Sequence, residues 1–334
     1  MKKATIKDIS RVTGLSLGTI SKYLNGGSLR ESNRKIIKQA IHDLDYSVDE
    51  YARGFVSGQT KSIGVLLPEF DNLFYARIAS KLEEISRKYG YAVTVRESRR
   101  DPQKEKESIG WFITMRVDAL VVVPVSSGKA YYEDILKDIP IPVVFLDQYI
   151  EGLNCEFVIV DNRQVSRRSV GYLLDCGHRE IAIVSAPEGV YTSDERVCGY
   201  REAFEERGLV ADPSLCYRIE ENTDIAYRTI KGILQEKRCT AMFACTFPNT
   251  YGMIFAVNEL RISVPRQLSL LGFDDMMFTS LFRPKLSIVD QPVNQIAQVC
   301  IERIMELIKQ HDCDYRVNTL PCNFVVNKTI ARKN

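Results

Sequence analysis

The chain has 334 residues, 45% hydrophobic and 26% charged, with a net charge of +2, an ordinary globular balance with room for two or three domains. No run approaches the roughly 18–20 apolar residues that cross a bilayer, and the opening "MKKATIKDI" has no apolar signal core, so a cytoplasmic protein without membrane association is expected. Nine cysteines with no CxxC pair and three scattered histidines argue against a disulfide framework or a metal site.

In chain order, residues 4–25, "ATIKDISRVTGLSLGTISKYLN", hold two short helical patterns around Gly14. Ile6, Ile9 and Val12 space the first; Ser16 is placed to cap the second, in which Ile20 and Leu24 fall four apart on an inward face. After "NGGSLRES", Asn33 is placed to cap a third helix with Ile36, Ile37, Ala40, Ile41 and Leu44 as its apolar stripe. Residues 1–62 carry eleven Lys/Arg against six Asp/Glu, net +5, and the remainder carries 34 against 37, net −3. A basic head on a slightly acidic body points to a polyanionic partner for the head. The next stretch, "SVDEYARGFVSGQTKS", reads as a weakly helical linker that orders on contact.

From Ile63 short apolar runs alternate with amphipathic helices. "IGVLLP", Ala92–Val95, "ALVVVP", "VVFLD", "FVIVD", "IAIVS", "AMFAC" and "LSLLGFD" read as strands, and "LSIVDQP" and "NFVV" complete the sheets. Helices are expected over 74–89, 104–115, 163–176, 194–208, 226–236, 249–260 and 293–309. Such alternation gives parallel sheets covered on both faces. The fold class expected is α/β: a small all-α head, a hinge, then two tandem doubly wound parallel-sheet lobes, with a break between lobes at 147–154 and a cleft at the strands' carboxyl ends. The domains are then 1–47, 48–60 and 61–334.

Taken together, "TIKDISRVTGLSLGTISKYLN", "TKSIGVLLP", "VDALVVVP", "PVVFLD", "VIVDN", "GHREIAIV", "GYREAFEERGL" and "VPRQLSLLGFDD…RPKLSIVDQP" resemble the LacI family of bacterial transcriptional regulators over essentially the whole chain. The resemblance implies a helix-turn-helix whose second helix lies in the major groove. Leu17, Gly18 and Lys22 match the base-reading positions: Lys22 to guanine, Leu17 to a thymine methyl. Ser16, Thr19, Ser21 and Asn25 are suited to phosphate contacts, and Thr5 joins them as a DNA-binding candidate. Ordinary helix surface is the alternative for Thr19 and Ser21, and a solvated lysine for Lys22. Phe55 matches the hinge residue that wedges into the minor groove, with packing between lobes as its alternative; Val48 stands where the family usually has proline.

The resemblance also implies a small-molecule effector bound between the lobes, with Arg196, Asp274, Phe74 and Thr246 as its candidate contacts. A structural Arg196–Asp274 pair is the alternative for those two. Thr246-Phe247 replaces the family's common Asn-Asp, which argues against a typical free-sugar pocket, and Val165 replaces a glycine. Arg96, Arg99 and Arg100 hint at an anionic ligand. No GxGxxG, P-loop or GxSxG is present, so no catalytic residue, cofactor or metal is expected. The expected function is a repressor that reads a pseudo-palindromic double-stranded DNA operator as a homodimer, since the chain shows no heptad tail for a tetramer. A solute-binding receptor without DNA function is the alternative.

Overall fold

The computed structural model describes residues 4–24, 27–46, 59–126, 128–274, 279–310 and 314–333. The chain divides into two compact units, Met1–Thr60 and Lys61–Asn334. Asn25, Val48, Phe55 and the linker helix expected near 50–56 lie outside the described residues.

The first unit packs α1 (Ile6–Thr13), α2 (Leu17–Leu24) and α3 (Glu31–Asp43) around buried Ile9, Ile20, Ile37 and Ala40. Gly14 takes φ +68, a left-handed position that glycine adopts without strain, and its N–H donates to the Ser10 carbonyl to end α1. Two sequence expectations fail here. Val12 is 63% exposed and Ile36 47% exposed, because in so small a unit the core is filled by one residue or two from each helix. The third helix starts at Glu31 with Arg30 before it, so Asn33 sits inside the first turn and is not its cap.

In the second unit the strands form two six-stranded sheets. The first has the order β11-β5-β4-β3-β1-β2, from β1 (Ser62–Leu67), β2 (Ala92–Glu97), β3 (Ala119–Val122), β4 (Val143–Leu146), β5 (Glu156–Val160) and β11 (Val317–Leu320), all parallel. The second has the order β12-β10-β9-β8-β6-β7, from β6 (Ile181–Ser185), β7 (Cys216–Arg218), β8 (Ala241–Ala244), β9 (Ser269–Phe273), β10 (Ser287–Asp290) and β12 (Asn323–Val325), parallel except for β12. Alternate residues of the strands bury on opposite faces. Val65, Val121, Val144 and Val158 meet α4 (Leu73–Lys88) and α11 (Val293–Lys309), while Leu66, Leu120, Phe145 and Phe157 meet α5 (Pro102–Thr114) and α6 (Lys129–Leu136). The second sheet is covered likewise by α7 (Asn162–Asp175) and α8 (Tyr191–Glu205) on one face and by α9 (Thr223–Glu236) and α10 (Phe247–Glu259) on the other.

The expected lobe boundary at 147–154 is displaced. β5 still pairs with β4, so the chain first crosses at Asp161; it returns at Gln291-Pro292 and crosses again at Pro321-Cys322. The reason is sheet completion: β5 and β11 fill the edge beyond β4, as β10 and β12 do beyond β9. Asp161 ties two crossings together, since its N–H donates to the Leu320 carbonyl (3.0 Å) and its Oδ1 accepts the Cys322 N–H (2.6 Å). Val165 is fully buried in the core beneath α7. Gly199 is required where α8 crosses α7, because any Cβ there would collide with the Arg163 carbonyl.

Candidate functional site

In the head, the Ser16 carbonyl accepts the Ile20 N–H (3.1 Å), and its Oγ accepts the Thr19 N–H (3.2 Å) and lies 2.9 Å from the Thr19 hydroxyl. Ser16 therefore caps α2. With Ile20 buried, the row formed by Leu17, Gly18, Ser21 and Lys22 falls on the other side of the helix; Leu17 is 43% exposed, and Gly18 and Lys22 are exposed. An added Cβ at Gly18 would meet only Ser16 Oγ, at 3.9 Å, so the space beside this face of the helix is open. Thr5 precedes α1, where its N–H (2.9 Å) and hydroxyl (2.7 Å) donate to Asp8, holding that carboxyl below its ordinary range.

In the body, a cavity of about 480 Å³ opens between the lobes. Pro68, Tyr75, Arg100, Pro124, Ser126, Gln148 and Tyr149 line it from the first lobe, and Pro187, Val190, Glu220, Glu221 and Asn222 from the second. A smaller cavity of about 230 Å³ shares Glu221 and Asn222 with it and adds Glu69, Asp71, Asp224 and Phe247. Among the described residues, three side-chain contacts bridge the lobes at the cavity. Arg100 places Nη1 2.6 Å from Glu221 while Nη2 holds Glu69 at 2.9 Å, Gln148 donates to the Thr192 hydroxyl (3.3 Å), and the Tyr149 and Tyr191 rings lie 5.7 Å apart.

Behind the cavity stand two matched aspartates. Asp147 follows β4 and Asp274 follows β9, the equivalent strands of the two sheets. Both adopt φ +70, a left-handed conformation aspartate tolerates better than most side chains, and their N–H groups donate to Val158 and Val289 on the next strand. Asp147 accepts from the Tyr75 hydroxyl (3.2 Å), and Asp274 accepts from Gln291 (2.7 Å) at the second crossing. Burial raises both pKa values; for Asp274, burial outweighs the opposing pull of Arg196 and Gln291 and takes it to about 6.

Arg196 belongs to this buried layer. Its Nε donates to Asn162 (2.8 Å), its Nη1 donates to the Cys245 carbonyl (2.6 Å), and its guanidinium lies 3.6 Å from the Phe273 ring centroid. It shares the second lobe with Asp274. Thr246 caps α10 by accepting the Asn249 N–H (3.3 Å). Phe74 is packed in the core, edge-on to Tyr75, whose ring reaches the cavity wall instead. The four candidate contacts are therefore all buried, and none lines either cavity. Sequence reasoning did not single out Asp147, Tyr75, Gln148 or Glu221, and it pointed to Arg100 only as a hint of an anionic ligand. The parallel endings "VVFLD" and "LLGFD" were the one signal that pointed to Asp147.

The three arginines that hinted at an anionic ligand are all engaged. Arg96 donates to Ser108 and lies over the Trp111 ring, Arg99 pairs with Glu97, and Arg100 holds its two glutamates.

Residues 170–330 match a periplasmic binding protein-like domain model. Catabolite control protein A of Priestia megaterium is 30% identical over 321 residues, spanning 95% of this chain and 96% of that protein. The chain belongs to the LacI family. The HTH-type transcriptional repressor PurR of Vibrio atlanticus is 26% identical, covering 99% of this chain and all of its own length. A Lac repressor dimer bound to operator and the anti-inducer ONPF superposes with a TM-score of 0.88 at 20% identity, over 99% of this chain and 100% of that one. The LacI-family relatives are transcription regulators, not enzymes, and this chain is accordingly a DNA-binding transcription regulator with an effector-binding type of body. No helix among its described residues is long and apolar enough to cross a membrane.

Proposed function

We propose that the chain is a cytoplasmic repressor that binds a pseudo-palindromic operator as a homodimer and is controlled by a small molecule held between the lobes. The observation that carries this reading is the outward row Leu17, Gly18 and Lys22 on a capped helix, in a chain similar along nearly its whole length to transcription regulators. Residues 1–47 are then the DNA-binding head, 48–60 the hinge and 61–334 the effector and dimerisation body. Leu17, Gly18 and Lys22 read bases; Thr5, Ser16, Thr19, Ser21 and Asn25 meet phosphates, and Phe55 wedges into the minor groove. The effector occupies the cavity against Tyr75 and Gln148, with Asp147, Asp274 and Arg196 as the charged layer behind and Phe74 and Thr246 holding that layer in shape.

Selection of bound sequences from random duplex DNA by the purified full-length protein, at fixed salt, tests the reading. A pseudo-palindrome emerges if it holds. Sequence-blind binding that fades with salt would overturn the pseudo-palindromic operator.

A further inference from the structure

The lining of the cleft has a charge asymmetry that the regulatory reading does not itself require. In the larger cavity, Arg100 is the one basic side chain among the described lining residues, facing Glu220 and Glu221. The adjoining chamber adds Glu69, Asp71 and Asp224, and no basic residue among its described lining. Arg100 is already committed to Glu69 and Glu221, so its charge is compensated and an incoming anion would lie beside those carboxylates. Nor is the buried Arg196 free, since Asn162, the Cys245 carbonyl and the Phe273 ring take up its guanidinium. Arg218 on the second lobe is paired with Asp194 at 2.9 Å. The carboxylates Asp147, Asp274, Glu69 and Glu221 thus outnumber the guanidiniums Arg100 and Arg196 around the cleft. The tyrosine rings of Tyr75 and Tyr149 complete a wall suited to a cation's face.

We propose that the cleft takes a small organic cation, an ammonium or amidinium group carried on a hydroxylated scaffold, with its positive end on Glu221. Burial raises the pKa of Glu221, against the pull of Arg100, so an added positive neighbour is favourable there. The ring faces hold the scaffold, and its hydroxyls meet Gln148 and Ser126. This rests on the reading of the cleft as the effector site.

The test is calorimetric titration of the full-length protein with matched probes: hexose and ribose scaffolds, each in neutral, amino and phosphate form. The amino member of at least one scaffold is expected to bind at least tenfold more tightly than its neutral and phosphate counterparts. Glu221→Gln is expected to reduce that preference to near unity. Arg100→Gln, which removes the competing cation, is expected to increase it, and keeps the test open should Glu221→Gln fail to fold. Tightest binding by a phosphate member overturns the proposal, as does an amine preference unchanged in Glu221→Gln, or no probe bound by protein that still selects an operator. Loss of operator selection as well would instead bring down the regulatory reading.

Discussion

A lysine on the outer face of α2 and an aspartate at the end of β9 carry opposite kinds of energetic consequence. Lys22 is exposed on the row away from Ile20, so its removal leaves the head's packing intact. Lys22→Ala should weaken operator binding by about 1–3 kcal/mol and relax preference at one base pair. Equal losses on every sequence, in competition binding, would reduce Lys22 to a phosphate contact. Asp274 is buried, and its pKa rises from 3.8 to about 6. Its contribution to stability is therefore fully present below the unfolded value and is lost as pH rises through the folded one. Near neutral pH the ionised form costs on the order of 3 kcal/mol. Asp274→Asn should raise the melting temperature of the ligand-free protein by several degrees at pH 7.5, with little gain at pH 4, while abolishing the effector response. An equal gain at both pH values would refute the electrostatic account. Asp274 was legible through a motif, whereas the Arg100–Glu221 bridge was not, because its partners come from different lobes and no local pattern links them.

The elements legible in the sequence were those with their own periodicity. Four- to six-residue apolar runs marked β1, β3, β4, β5, β6, β8 and β9, each buried on both faces. The segment α6 passed unread because in eight residues only Tyr132 and Ile135 are buried. The edge strands β7 and β11 were unread because they are short and half exposed, with no residue of either fully buried. Their pairing, not their composition, makes them strands. One element carries an aromatic row that runs from the core to the surface. On α10, Phe247, Tyr251 and Phe255 recur at four-residue spacing with rings 4.6 and 6.4 Å apart, and Phe255 is 51% exposed. Its exposed end, Phe255, is the expected seat for a second copy of the chain. Phe255→Glu should weaken dimerisation at least tenfold by sedimentation and lower operator affinity with it, since each head alone holds one half-site. Dimers of unchanged strength would put the interface elsewhere.

At the scale of the whole body, two lobes share one continuous core and three crossings. A charged contact that spans them is the Arg100 bridge, which grips Glu69 on its own lobe and Glu221 on the other. Burial opposes the Arg100 cation, yet Glu221, Tyr75 and Glu69 together raise its pKa. If the bridge latches the lobes, Arg100 and Glu221 must couple energetically, whereas an arginine serving only Glu69 would be indifferent to Glu221. A double-mutant cycle separates these cases: Arg100→Gln, Glu221→Gln and the double variant, each unfolded in urea. A coupling energy of about 1–2 kcal/mol is expected, shrinking as salt rises because the pair is partly open to solvent. The same coupling sets how much differential affinity a ligand needs to shift the lobes, so Arg100→Gln should also lower the effector concentration at which operator affinity changes. A coupling near zero would assign Arg100 to its own lobe and leave closure to Gln148, Thr192 and the facing rings of Tyr149 and Tyr191.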